Sequence, residues 1–525
     1  MKKMALVVSL SAAFAAVADV TVVDGGKTYH WNEADGEVTG NFTNAVDAAS
    51  WTSAAVYDIG KNLTINGDMV SDYGAFVKTG AGTLTLNGKF RLAQRCSNSN
   101  SQSVGSNRLS FSNDGETATA GYGWVFTIAD GAVVLTNASA SVESKFGQVN
   151  YDGVIIGCWS AASGEVEKDV LLDVKRGKII ASSNTHIGRH HGFVNNTVEG
   201  HPAKAILRIF GGTYTQAGGK AITLGGASSA PSGMGGYNAE VRFELIDGSY
   251  DHGTSGTGFN VAQYPGQDAT VFVSGGTFED RVFKTAAYAN GSYENSNPSP
   301  FLFDVCSNGT VKIEAFTNNE KSKSGPTTKI HVHDGGTFLC DNMVNKANGV
   351  IDIVVDGGTY GTCCTWANYK VVHKEMLPAT VTSFQIGKNG ATISARGHLS
   401  ASGYITAYLE KGFEPAADLG EGETDGGVTF AAEYDANVAE LGGVCTYAGP
   451  TRIEKGWLAL TGDGALPMAS PTTVSGGGLL ATNKDIVVGS LTFDGAVALK
   501  LGPNRKIAAT SSLAMSLNQA TTPPT

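Results

Sequence analysis

The sequence predicts an all-β chain wound as an elongated right-handed parallel β-helix. Three observations carry that prediction. One short strand–turn phrase recurs five times, as "GGTYTQAGG" (211–219), "DGSYDHG" (247–253), "SGGTFED" (274–280), "DGGTFLC" (334–340) and "DGGTYGT" (356–362). The 69 glycines follow short apolar runs, where turns belong, and keep no three-residue period. No stretch after the N-terminus repeats its apolar residues at the 3.6-residue spacing of a helix.

Taken in order, the chain opens "MKKMALVVSLSAAFAAVADV". Lys2 and Lys3 precede a short apolar run, and Ala16 and Ala18 supply the small residues that a signal peptidase needs. Residues 1–18 therefore read as a secretory signal peptide cut before Asp19. Export to the cell surface or the medium is expected, with the periplasm as the other destination. No later run reaches the roughly 18 apolar residues that a membrane helix needs, so none is expected.

Residues 19–415 read as the β-helix rod. Aligned on the residue after the glycine, the five copies place Thr213, Ser249, Thr277, Thr337 and Thr359 in one column. An aromatic follows each: Tyr214, Tyr250, Phe278, Phe338 and Tyr360. Four positions before the anchor stand Ile209, Leu245, Val273, His333 and Val355; six before stand Leu207, Phe243, Val271, His331 and Ile353. The column between them is mixed: Arg208, Glu244, Phe272, Val332 and Val354. Apolar columns flanking a variable one have period two, the mark of a strand with one face inward. No copy can hide that face alone; stacked copies can. The aromatics are expected in the core. "LTINGDMV" (63–70), "FTIADGAVVLTN" (126–137), "LLDVKRGKIIAS" (171–182) and "FQIGKNGATISARG" (384–397) extend the pattern, and Asn308-Gly309-Thr310 divides the longest gap. Residues 416–446 read as an irregular acidic, glycine-rich junction, and 447–525 as a final set of repeats with a polar tail.

"TRIEKGWLALTGDGALPMASPTTVSGGGLLATN" (451–483) resembles the autotransporter-associated β-strand repeat of bacterial passenger domains, with Thr451, Ile453, Gly456, Leu458, Leu460, Gly462, Gly464, Leu466, Pro467, Val474, Gly477 and Leu479 at the matching places. "VKTGAGTLTLNG" (77–88) is similar to a shorter member. The resemblance implies an exported, pectin-lyase-like right-handed β-helix serving as a structural or adhesive surface protein, with surface glycans or neighbouring cells as partners. Its enzymatic alternative is a polysaccharide lyase or glycoside hydrolase on the same fold.

Composition narrows the choice. Charged residues are 16% and the net charge is −11, so the basic face that nucleic acid requires is missing. Carboxylate-pair and histidine phrases of polysaccharide-cleaving enzymes (Asn-Thr-Asp, Asp-Asp, Gly-His-Gly, Arg-x-Pro-x-x-Arg) do not occur, and no catalytic residue or cofactor is assigned. The densest ionisable cluster, "THIGRHHG", carries His186, Arg189, His190 and His191; it reads as a polar loop. His331 and His333 fall in inward columns, where two imidazoles one residue apart could chelate a metal; a flipped or bulged strand that wets both is the other reading. Asp247, Asp334 and Asp356 read as turn residues. Of seven cysteines, Cys363 and Cys364 are adjacent and should point to opposite faces, leaving one to reach a cysteine in a neighbouring segment.

Overall fold

A computed structural model describes most of residues 19–516; residues 1–18, 45–53, 93–109, 143–153, 160–169, 191–202, 226–238, 286–298, 517–525 and several shorter stretches lie outside the described residues. The signal-peptide reading, His191 and Cys364 fall there. Among the described residues every regular element is a strand, and the fold is an all-β parallel β-helix. The chain forms two compact units: residues 1–272 with 287–299, and residues 273–286 with 300–525.

In the first unit the repeated phrase builds two rows of parallel strands. Trp124–Ile128, Val170–Val174, Ala203–Ile209 and Ala239–Leu245 stack in the first row. Phe126, Leu172, Leu207 and Phe243 lie in one register column, each 0–1% exposed. After a three-residue turn, Ala132–Leu135, Lys178–Ala181, Thr213–Gln216 and Ser249–Asp251 stack in the second. A third row includes Val154–Trp159, Thr185–His190, Ile222–Gly225 and Phe259–Ala262. Antiparallel pairing occurs at Asp19–Val23 with Gly26–Trp31 and at Ser110–Phe111 with Ala118–Thr119.

The second unit follows the same circuit. Val350–Asp356, Thr359–Gly361 and Val371–Leu377 are followed by Ser383–Ile386, Ala391–Ser394 and Tyr404–Leu409, each strand parallel to the one a turn earlier. Strands Val428–Ala431 and Val438–Leu441 continue two of these rows through the acidic, glycine-rich stretch. The segment carrying the repeat resemblance stacks too: Ile453 pairs with Val474 and Leu458 with Leu479, all four 0% exposed.

Burial explains the fold. Tyr214, Tyr250, Phe278, Phe338 and Tyr360 are fully buried, as their periodicity predicts. Phe338 and Tyr360 stack at 5.7 Å and 4°, as do Phe283 and Phe316 at 5.2 Å and 10°. Such pairs add about 0.5–1.5 kcal/mol each beyond the roughly 1.5–3 kcal/mol from burying one large apolar side chain. In two buried polar clusters the groups satisfy one another. Tyr214 Oη donates to Thr185 Oγ1 (2.6 Å), which donates to Gln216 Oε1 (2.8 Å). In the second unit Thr328 Oγ1 donates to Asn318 Oδ1 (2.8 Å), whose Nδ2 donates to Asn345 Oδ1 (2.9 Å).

One column of the sequence alignment is corrected. His331 and His333 do not face inward; Ile330 and Val332 do, at 0% and 1% exposed, in register with Ile353 and Val355. The physical reason is turn length. Three residues separate Val355 from Thr359, whereas four, His333 to Gly336, separate Val332 from Thr337. The turn before it is equally long, Cys306 to Gly309, and the two are joined by Ser307 N–H donating to Asp334 O at 3.0 Å. Aligning on the residue after the glycine slips that strand by one residue, and a one-residue slip exchanges the two faces.

Candidate functional site

The sequence-predicted histidines do not converge. His331 is half-buried and His333 exposed, their rings 6.0 Å apart and edge-on. His333 Nε2 lies 2.8 Å from Asp304 Oδ1 on the preceding turn. Burial, then the neighbouring His333, lowers the pKa of His331. Among the described residues no three His, Cys, Asp or Glu side chains are grouped to hold a metal. His186, Arg189 and His190 lie on a strand rather than a loop, with His186 in register between Ile155 and Thr223. The turn aspartates behave as expected where they bond: Asp247 Oδ1 accepts Gly248 N–H (2.7 Å), and Asp356 Oδ1 accepts Asn389 N–H (2.6 Å).

Two outward faces carry chemistry. On the first row of the first unit, Asp173, Arg208 and Glu244 form one column on three successive strands. Arg208 Nε donates to Glu244 Oε2 (2.8 Å); Arg242 Nε contacts Glu244 Oε1 (3.1 Å), and Lys204 pairs with Glu240 (2.9 Å). Asp173 is 4% exposed and Glu244 6%, so these two carboxyls are shielded, while the side chains of Lys204, Arg208 and Arg242 stay 27–40% exposed. Burial raises the Asp173 carboxyl above the ordinary carboxylate range, against the pull of Arg208 and Lys175. Opposite charges in register fix strand pairing here.

The other face is open. On the third row of the second unit, Tyr404 and Tyr408 point away from inward Ile405, Ala407 and Leu409, and Thr406 between them is covered at 4% exposed. Tyr408 stacks on exposed His373, ring centroids 5.4 Å apart, and its hydroxyl lies 2.8 Å from Nδ1. Tyr404 is 39% exposed. Thr406, Val438, Trp457 and Gly478 form the neighbouring register column. The Trp457 ring lies against the Gly478 backbone: a Cβ there would stand 2.5 Å from the indole. Lys500 Nζ sits 4.4 Å from the ring centroid, and Glu440 pairs in register with Tyr408. Two strand spacings and two residues place Tyr408 and Trp457 roughly 12 Å apart along the sheet. Aromatic faces beside an acid, a base and hydroxyls can stack on the C–H faces of sugar rings and bond their hydroxyls.

The repeat alignment did not expose this strip, because its residues lie outside the aligned phrase, after connections of variable length. Its signal was a tryptophan one turn before a glycine in "KGWLAL" and "SGGGLLA". A scan against family models and searches of the curated proteins and of the solved structures give no match.

Proposed function

We propose that this chain is an exported structural and adhesive β-helix protein that holds glycans of surfaces or neighbouring cells on the third-row strip of its second unit. The observation that supports the reading is the outward set Tyr404, Tyr408, His373 and Trp457 on a sheet whose other side is packed core. The signal-peptide-like N-terminus and the passenger-repeat resemblance of 451–483 agree with it. Gly478 leaves room for the indole to pack against the neighbouring strand, so its position costs little side-chain entropy when a ligand arrives.

The test is binding of the full chain to a panel of neutral and uronic-acid polysaccharides, with Tyr408→Ala and Trp457→Ala beside it. Each variant should lose at least tenfold in affinity while its unfolding midpoint stays within a few degrees of wild type. Undiminished binding in both variants would refute the site. Release of reducing ends or unsaturated products would replace the reading with a polysaccharide lyase or glycoside hydrolase.

A further inference from the structure

Cys340 and Cys363 lie on successive turns of the second unit, at the corner where its second row ends. Leu339 pairs with Gly361, so Cys340 stands one residue beyond that pair and Cys363 two. With strands about 4.8 Å apart and residues about 3.3 Å along each, that diagonal separates the two Cα atoms by about 6 Å. A disulfide spans Cα separations of about 4.4–6.8 Å. Cys340 is 0% exposed and Cys363 8%.

The side chains are also turned the right way. Cys340 pairs in register with Ile313 on the preceding turn, and Cys363 Sγ lies 3.4 Å from the Ile313 carbonyl oxygen. The Cys363 sulfur therefore reaches back into the column that Cys340 occupies. Asp341, between them, holds the corner: its Oδ1 accepts Cys363 N–H (2.8 Å) and its Oδ2 pairs with Lys374 Nζ (2.9 Å). The two cysteines stand here as thiols, as do Cys306 and Cys445.

We propose that Cys340 and Cys363 form a disulfide that ties two successive turns together when the chain folds under oxidising conditions. Two S–H bonds break and one S–S bond forms. Two electrons and two protons pass to a disulfide oxidant, such as oxidised glutathione, which leaves as two thiols. Burial pushes both thiols far above the usual cysteine range, so thiolate is scarce once the corner is packed. Pairing therefore precedes closure of the corner, and the closed bond resists reductant.

The experiment refolds the reduced, unfolded full chain in oxidised glutathione and, in parallel, exposes native reduced chain to the same oxidant. Free thiols are alkylated and peptides mapped with and without reduction. It supplies its own oxidant, so it is independent of where the chain resides. The refolded sample should yield a Cys340–Cys363 linked peptide, and the native sample should form it at least tenfold more slowly. The oxidised protein should melt a few degrees higher, a gain absent in Cys363→Ser. Separate alkylation of both residues after oxidative refolding, or pairing of either with another cysteine, would overturn the proposal. The same mapping on chain secreted through an oxidising compartment gives the answer without refolding.

Discussion

Gly248 separates two roles that a turn glycine can play, and Ala substitution there measures the second. Its φ is +90°, and Gly40 in the same unit has φ +109°. An alanine at either position pays about 1–2 kcal/mol for the left-handed backbone. A Cβ on Gly40 meets nothing within 4 Å, whereas one on Gly248 would stand 2.1 Å from Gly212 O and 3.0 Å from Gly211 C. That same Gly212 oxygen accepts Ser249 N–H at 2.9 Å. Relieving the clash moves the turns apart by roughly 1 Å and breaks that bond, costing about 1–3 kcal/mol more for a buried group left unpaired. Gly248→Ala should therefore lose about 2–5 kcal/mol and Gly40→Ala about 1–2 kcal/mol. Urea unfolding followed by far-ultraviolet circular dichroism, with limited proteolysis as the local probe, reads the difference. Equal losses would mean that the turns do not rest on one another as described.

Four further substitutions test the core, the buried hydroxyl and the ionic ladder. Leu207→Asp puts a charge between Leu172 and Phe243 and should unfold its neighbourhood, while Arg208→Ala, whose partner Glu244 keeps Arg242, should cost about 1 kcal/mol or less; equal thermal melts would contradict the register. Tyr214→Phe removes the bond to Thr185 and should lower stability by about 1 kcal/mol in urea; no change would show that the hydroxyl is not paired in solution. Asp173 binds its proton more tightly folded than unfolded, so its contribution to stability falls as pH rises from the unfolded carboxylate range (about 3.9) through the raised folded value. Asp173→Asn should match wild type near pH ~3 and exceed it at neutral pH; a variant less stable at both would refute the buried-charge account.

Period two in a mixed apolar run was enough to place Leu207, Phe243, Ile353 and Val355 inside and Arg208 outside, because stacking makes like columns coincide. The fourth copy misled because the alignment fixed the wrong side of a turn that had gained a residue. "HDGGT" and "VDGGT" look interchangeable, and only Ser307 bonding to Asp334 reveals which turns match in length. The outward aromatic strip was illegible for a different reason. Tyr408, His373 and Trp457 belong to three separate turns, and nothing short of the register between those turns brings them to one face. Cys363 is an intermediate case: alternation set it apart from Cys364, but the corner that aims its sulfur at Ile313 is a feature of the folded chain.

Because each turn is bonded only to the one before and the one after, pulling on the chain would not tear a unit open at once. Force would peel a single coil and leave the next intact. The coil from Thr337 to Thr359 would pay out roughly 70 Å of slack, and the longer one from Thr213 to Ser249 roughly 120 Å. Tension would thus be spent in many small, separately re-formable steps, with the Tyr404–Trp457 face undisturbed until its own coils were reached.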